Sequence, residues 1–186
     1  MHDLKPLTAL GGVEPRTDKI GGVTCVEVPD VALASVAARL GQEKATLAEL
    51  KKTLGVAAPG PGGFAEKALG AFWTGPDQWM VEAPYDTHED LANLLKSKLK
   101  DAASVTEQSG AWVRFDLSGN GVCDVLERLC KLDIRAMTAS DAGRSTVEHL
   151  GCFVICRDEN AFSVLGPRSS AGTLHHALTT AMTSVA

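Results

Sequence analysis

Between residues 149 and 156 the sequence places His149, Cys152 and Cys156 (HLGCFVIC), side-chain types that zinc favours, and three such ligands suffice for a catalytic site. Their spacing argues against chelation. Side chains alternate faces along a strand, so Cys152 and Cys156 share one face while His149 lies across a turn, and no second ligand pair is near. Buried thiols are the better reading. Cys123 and Cys130 keep the spacing of a helix's core face, and neither belongs to a Cys-x-x-Cys motif. With Cys25 the cysteines number 5, an odd and scattered set that reads as reduced thiols.

Three further groupings invite a chemical reading. Gly119-Asn120-Gly121, between a strand pattern and a helix pattern, is similar to the start of a dinucleotide loop, in which glycines let backbone approach a pyrophosphate. The third glycine is replaced by Asp124, whose charge would repel phosphate. His175 and His176 are adjacent in a helical pattern and point about 100° apart, which suits surface or boundary positions better than joint chelation. Arg114 and Asp116 share one face of the strand AWVRFDL (111–117), opposite Val113, Phe115 and Leu117. An exposed face or a subunit contact explains that pair as well as catalysis does. The chain has no Walker loop and no Gly-x-Ser-x-Gly elbow, and spacing assigns no nucleophile to a base. The sequence points away from independent catalysis.

The elements that would carry these residues follow from patterning. The chain has 186 residues, 45% hydrophobic and 22% charged, enough for one well-packed domain or two half-domains sharing a core. Its net charge of −5, without a basic run, makes nucleic acid an unsuitable partner. The N-terminal stretch has neither a signal-peptide core nor transit-peptide bias, and no apolar run approaches the ~20 residues of a bilayer span. A cytoplasmic location without membrane attachment is the expectation.

Residues 1–20 read as an N-terminal arm. A strand is expected at GVTCVEV (22–28), with Val23, Cys25 and Glu27 on one face, then a helix from Asp30 to Leu40 and another from about Glu43 to Leu54, with Leu47, Leu50 and Leu54 aligned. Gly- and Pro-rich residues 55–70 read as a mobile loop. The stretch FWTGPDQWM (72–80) reads as a hairpin turning at Gly75-Pro76-Asp77. Thr87 to Asp90 has the form of a capping box opening a helix to about 100, with Leu91, Leu94, Leu95 and Leu99 on one face. Beyond 110 the pattern gives a strand, a helix with Val122, Val125, Leu126 and Leu129 inward, three strands (144–149, 152–157, 161–165) and a helix from about Ser170. The fold expected is α+β: two tandem split β-α-β (ferredoxin-like) halves, 21–109 and 110–186, within one compact unit.

The motif FWTGPDQWMV (72–81), the central VTEQSGAWVRFDLSG (105–119) running into GVCDVLERLCKLDIR (121–135), and the late GRSTVEHLG…VICRDENAFSVLGPRSSAGTLHHAL together resemble the gamma subunit of heterotetrameric sarcosine oxidase. The resemblance spans about residues 20 to 185. Its most specific part is the Trp-x-Gly-Pro-x-x-Trp pattern of Trp73, Gly75, Pro76 and Trp79. It implies a structural, assembly subunit without flavin, whose fold is similar to the folate-binding domain of aminomethyltransferase-type proteins. The complex demethylates sarcosine oxidatively to glycine, forms hydrogen peroxide and passes the one-carbon unit to tetrahydrofolate. On this resemblance FAD, FMN, NAD, zinc and tetrahydrofolate belong to partner subunits, and the partners are the alpha, beta and delta chains.

Leu150-Gly151-Cys152-Phe153 is similar to the Lys-Gly-Cys-Tyr motif of stand-alone folate-dependent iron–sulfur maintenance proteins. The leading Lys and trailing Gly-Gln are absent, so no catalytic, cofactor-binding or metal-binding residue is carried over. Trp79 is expected to be buried, and Trp73 to anchor the hairpin or meet a partner as a subunit-interface residue. The subunit reading also implies an exposed apolar patch and self-association of the isolated chain. The alternative, a stand-alone folate-binding or one-carbon-transfer protein, implies a pocket with a carboxylate for a pterin, for which Asp116 and Glu107 are the first candidates.

Overall fold

Alternating burial along Val23–Val28 puts Val23, Cys25 and Glu27 inward, and this single strand shows how the chain is assembled. The computed structural model describes residues 6–186. In chain order the elements are β1 (Thr17–Ile20), β2 (Val23–Val28), β3 (Val31–Ala38), α1 (Glu43–Leu54), β4 (Phe64–Glu66), β5 (Gly70–Gly75), β6 (Gln78–Pro84), α2 (Leu91–Leu99), β7 (Ala103–Glu107), β8 (Trp112–Gly119), α3 (Val122–Leu129), β9 (Ala142–Val147), β10 (Leu150–Asp158), β11 (Ala161–Pro167) and α4 (Ala171–Val185). They form two antiparallel sheets with four helices, the α+β class expected from the sequence.

The chain divides into two compact units, and the division is not sequential. One unit comprises Asp30–Gly110 with Ser140–Ala142; the other combines the chain up to Pro29 with Ala111–Ala139 and Gly143–Ala186. The reason is the pairing of β2, which lies beside β8 with Cys25 opposite Leu117 and Glu27 opposite Phe115. A boundary at 109/110 therefore leaves out a strand: residues 23–28 complete the sheet built by the second half.

Within the 30–110 unit the order β3-α1-β5-β6-α2-β7 is a split β-α-β arrangement, with sheet order β4-β5-β6-β3-β7. In the other unit the same arrangement is circularly permuted. It runs β8-α3-β10-β11-α4, and its fourth strand, β2, comes from earlier in the chain, within the order β1-β2-β8-β11-β10-β9. Each unit has its own core. Val113, Phe115, Leu117, Val122, Leu126, Cys152, Val154, Cys156, Leu174 and Leu178 join one cluster. Ala32, Ala34, Val36, Leu50, Leu54, Trp79, Val81, Leu91, Leu95 and Leu99 join the other. A leucine as fully buried as Leu126 or Leu95 is worth about 2–5 kcal/mol on truncation to alanine.

Several local expectations are corrected. The segment Asp30 to Leu40 is strand β3, not a helix, because it lies between β6 and β7 and hydrogen-bonds to both. Its fully buried Ala32 and Ala34 belong to the cluster that contains the leucines of α1 and α2, so tertiary pairing overrides the helical propensity of alanine. Strand β7 carried no clear sequence signal. The helix α2 begins at Leu91 rather than 88, and no side chain caps it: the Thr87 hydroxyl lies 2.9 Å from His88 Nδ1 instead. On α1 the buried face is Thr46, Leu50 and Leu54, which leaves Leu47 outside. Residues 55–70 are not wholly loop, since β4 pairs with β5 and Trp79 Nε1 donates to the Pro59 carbonyl at 2.8 Å.

The N-terminal arm is likewise anchored; residues 1–5 lie outside the described residues. Strand β1 pairs with β2, and Glu27, only 2% exposed, accepts the backbone N–H groups of Leu10 at 2.9 Å and Arg16 at 3.2 Å. A buried carboxylate is tolerated because these donors replace water. Replacing Glu27 with alanine leaves both N–H groups without that acceptor, and we expect a loss of about 2–4 kcal/mol in urea unfolding. Faster hydrogen exchange at Leu10 and Arg16 should accompany it; a loss below about 0.5 kcal/mol would show that the clamp is unimportant.

Candidate functional site

Asp116 is the residue around which polar side chains converge. It lies on β8, on the face opposite Phe115 and Leu117, and the antiparallel register sets Ser163 of β11 directly across from it. Arg114, two residues earlier on the same face, forks onto the carboxylate, Nε to Oδ1 at 2.7 Å and Nη2 to Oδ2 at 2.8 Å. Ser163, fully buried, donates its hydroxyl to Asp116 Oδ1 at 2.6 Å and accepts from Arg157 Nε at 2.8 Å. The sequence pairs Arg114 with Asp116 by alternation alone, but Ser163 and Arg157 come from strands that only the sheet order brings near.

This arrangement holds the Asp116 carboxylate in place through charge-assisted hydrogen bonds. Asp116 accepts three hydrogen bonds from its neighbours, which fix the orientation of its carboxylate, and its side chain is 35% exposed. A nucleophilic serine needs access, and Ser163 has none. Glu107, the other carboxylate considered for a pterin, is on β7 in the other unit, and its Oε1 accepts the backbone N–H of Ser109.

A second cluster lies where β1 meets α4. Asp18 accepts two hydrogen bonds from Arg16, at 2.9 and 3.0 Å, and its Oδ2 is 2.7 Å from His175 Nε2. The hydrogen bonds from Arg16 do most to lower the pKa of Asp18; partial burial opposes, His175 adds to the lowering, and the pKa falls to about 2. Cys25, opposite Asp18 in the sheet, is pushed up to about 12 by burial and then by the charges of Asp18 and Asp116. A cysteine, a histidine and an aspartate thus occur together, and burial disfavours the thiolate form that nucleophilic chemistry requires. His176, by contrast, is exposed.

The other sequence-derived sets are dispersed by the fold. His149 sits at φ 68° in the exposed β9–β10 turn, whereas Cys152 and Cys156 are buried in the core, with burial raising the Cys152 thiol to about 11. Among the described residues no group of three histidine, cysteine or acidic side chains is placed to hold a metal. Gly119 and Gly121 have φ 115° and 95°, and a Cβ on Gly119 would lie 2.2 Å from the Gly22 carbonyl oxygen. These glycines serve the close approach of β2 to β8 and the start of α3. No helix among the described residues is long and apolar enough to cross a membrane.

With this architecture established, comparison with solved structures is informative. The fold is similar to that of one chain of a solved sarcosine oxidase. The structure superposes on a chain of heterotetrameric sarcosine oxidase from Corynebacterium sp. U-96, solved in complex with pyrrole 2-carboxylate, with a TM-score of 0.79, 21% identity, and coverage of 90% of this chain and 88% of that one. It also matches the glycine cleavage system aminomethyltransferase T from Bartonella henselae, with a TM-score of 0.61 and 14% identity over 86% of this chain but only 46% of that protein. The aminomethyltransferase-type fold expected from the sequence is therefore present. No protein-family model matches the chain, and no curated protein matches it in sequence.

The Asp18 cluster gives a pH dependence. Its pKa in the folded chain is below the ordinary 3.8, so Asp18 contributes stability above about pH 4 that is lost as pH falls towards 2. Asp18→Asn should cost on the order of 1 kcal/mol at pH 7, given screening by solvent. By pH 2 the variant and the parent should unfold at nearly the same denaturant concentration; an undiminished difference there would refute the assignment.

Proposed function

We propose that this chain is the gamma subunit of a heterotetrameric sarcosine oxidase, a structural and assembly component of a flavoenzyme that demethylates sarcosine. The observation that carries the proposal is the end-to-end match to one chain of such an oxidase, with 90% and 88% of the two chains superposed. The match to the aminomethyltransferase covers 46% of that protein. The chemistry of the polar clusters agrees: Asp116, Ser163 and Arg157 bond to one another, and Cys25 is a buried thiol.

On this reading FAD, FMN, NAD, zinc and tetrahydrofolate reside on the alpha, beta and delta partners, and this chain contributes packing surface. Trp73, half-buried opposite the 3%-exposed Trp79, is a candidate contact residue. The Trp79 indole fixes the hairpin, through its bond to Pro59, in the position from which Trp73 reaches the surface. Tryptophan truncation at a packed interface commonly costs more than 2 kcal/mol.

Co-expression with flavin-bearing subunits tests the proposal. We expect the chain to co-elute with them on size exclusion, and its omission to abolish assembly or sarcosine-dependent peroxide formation. Trp73→Ala should weaken co-elution while Trp79→Ala destabilises the fold itself. A chain that elutes apart, with full oxidase activity in its absence, would contradict the subunit role.

A further inference from the structure

The two units share one architecture, but the outer faces of their helices differ in chemistry. In the unit that contains β8, the exposed positions of α4 are Gly172, Thr173, His176, Thr180, Thr183 and Ser184, small or polar throughout. The exposed positions of α3 are Asp124, Glu127 and Arg128, with Arg135 bonded to both acids. Neither helix shows water a large apolar side chain.

The helices of the other unit do. Helices α1 and α2 pack side by side, and Leu50, Leu54, Leu91, Leu95 and Leu99 join one cluster with alternate residues of β3 and β6. Their opposite sides therefore face outward. There Leu47 on α1 is 40% exposed and Leu94 on α2 is 37% exposed, while Leu40, in the turn leading into α1, is 99% exposed. The solvent-facing stripe of α1 is Lys44, Leu47, Ala48 and Lys51, a lysine one turn on either side of the leucine. On α2, Lys98 follows Leu94 by one turn, Lys96 is also exposed, and no carboxylate lies between Asn93 and Lys100. Glu43 turns back to accept the Gly41 N–H at 2.9 Å, and Glu49 is paired with Lys52. Among the described residues no ion pair involves Lys44, Lys51, Lys96 or Lys98.

We infer that the outer face of α1 and α2 is the docking surface through which this chain joins its complex, and that the partner subunit presents carboxylates around an apolar surface. Leu47 between the unpaired Lys44 and Lys51, and Leu94 one turn before Lys98, are complementary to such a partner: the apolar areas leave water together, and the lysines meet acids at the rim. The inference rests on the subunit reading above and names the surface that serves it. An anionic lipid surface matches the lysines but not the apolar part. Neither helix has an aromatic residue, and Leu47 and Leu94 each project from a packed helix by less than half their surface, which suits a flat protein contact better than insertion into acyl chains.

The test is co-purification of the full chain with co-expressed flavin-bearing subunits, comparing wild type, the double variant Leu47→Glu/Leu94→Glu, and the triple variant Lys44→Glu/Lys51→Glu/Lys98→Glu. All substituted sites are exposed, and circular dichroism and Tm of the isolated variants verify that they fold. We expect the leucine variant to retain less than one-tenth of the partner that wild type retains. The lysine variant should lose at least threefold, and raising salt should weaken wild type towards it. Wild-type co-elution matched by the leucine variant overturns this surface and leaves the subunit reading standing. Failure of wild type itself to co-elute overturns both. Two other results would reassign the surface: concentration-dependent self-association of wild type that the leucine variant lacks, with partner binding unchanged, or sedimentation of wild type but not the variant with phosphatidylserine-containing vesicles.

Discussion

The close approach of β2 to β8 is the constraint on which the structure depends. Gly119 at the end of β8 leaves no space for a Cβ beside the Gly22 carbonyl, and a Cβ on Gly22 would meet the Asn120 carbonyl at 2.7 Å. Side chains at these two positions would force the strands apart where their register begins, at Val23 opposite Gly119. The permuted sheet closes only through this pairing. With β2 in place, Val23 and Cys25 enter the core beside Leu117, Glu27 is brought under residues 10 to 16, and Asp18 on β1 is carried to His175 on α4.

The same economy governs the polar residues. Among the described residues every buried side-chain nitrogen and oxygen has a hydrogen-bond partner. The polar groups that the fold brings together are tightly held: Asp116 by Arg114 and Ser163, and Asp18 by Arg16 and His175, while burial encloses Cys25 and Cys152. A charged group satisfied in this way fixes strand register and gives little to a substrate.

Much of the fold was legible because periodicity and turn chemistry are local. The β5–β6 hairpin follows from Pro76 and from Asp77, which takes φ 55°, and α3 and α4 follow from apolar residues at helical spacing. Inward-facing Glu27 was readable from the alternation of β2. The misread elements fail for one shared reason, which is non-local pairing. VALASVAA (31–38) is alanine-rich and becomes a strand only because β6 and β7 flank it. Likewise nothing near residues 23–28 indicates that their partner lies ninety residues on, so the units could not be divided correctly by reading along the chain. At the candidate site the Arg114–Asp116 pair was legible and Ser163 was not, because strand alternation is local and sheet order is not.

The central proposal, that the polar residues of this chain hold structure and that folate and flavin chemistry belongs to other subunits, is tested most directly by calorimetric titration of the isolated protein with tetrahydrofolate under anaerobic conditions. The account predicts no saturable heat of binding at ligand concentrations up to about 1 mM, where even a dissociation constant in the upper micromolar range would register. Saturable binding that disappears in Asp116→Asn, with the variant still folded, would contradict it and make this domain a folate site in its own right.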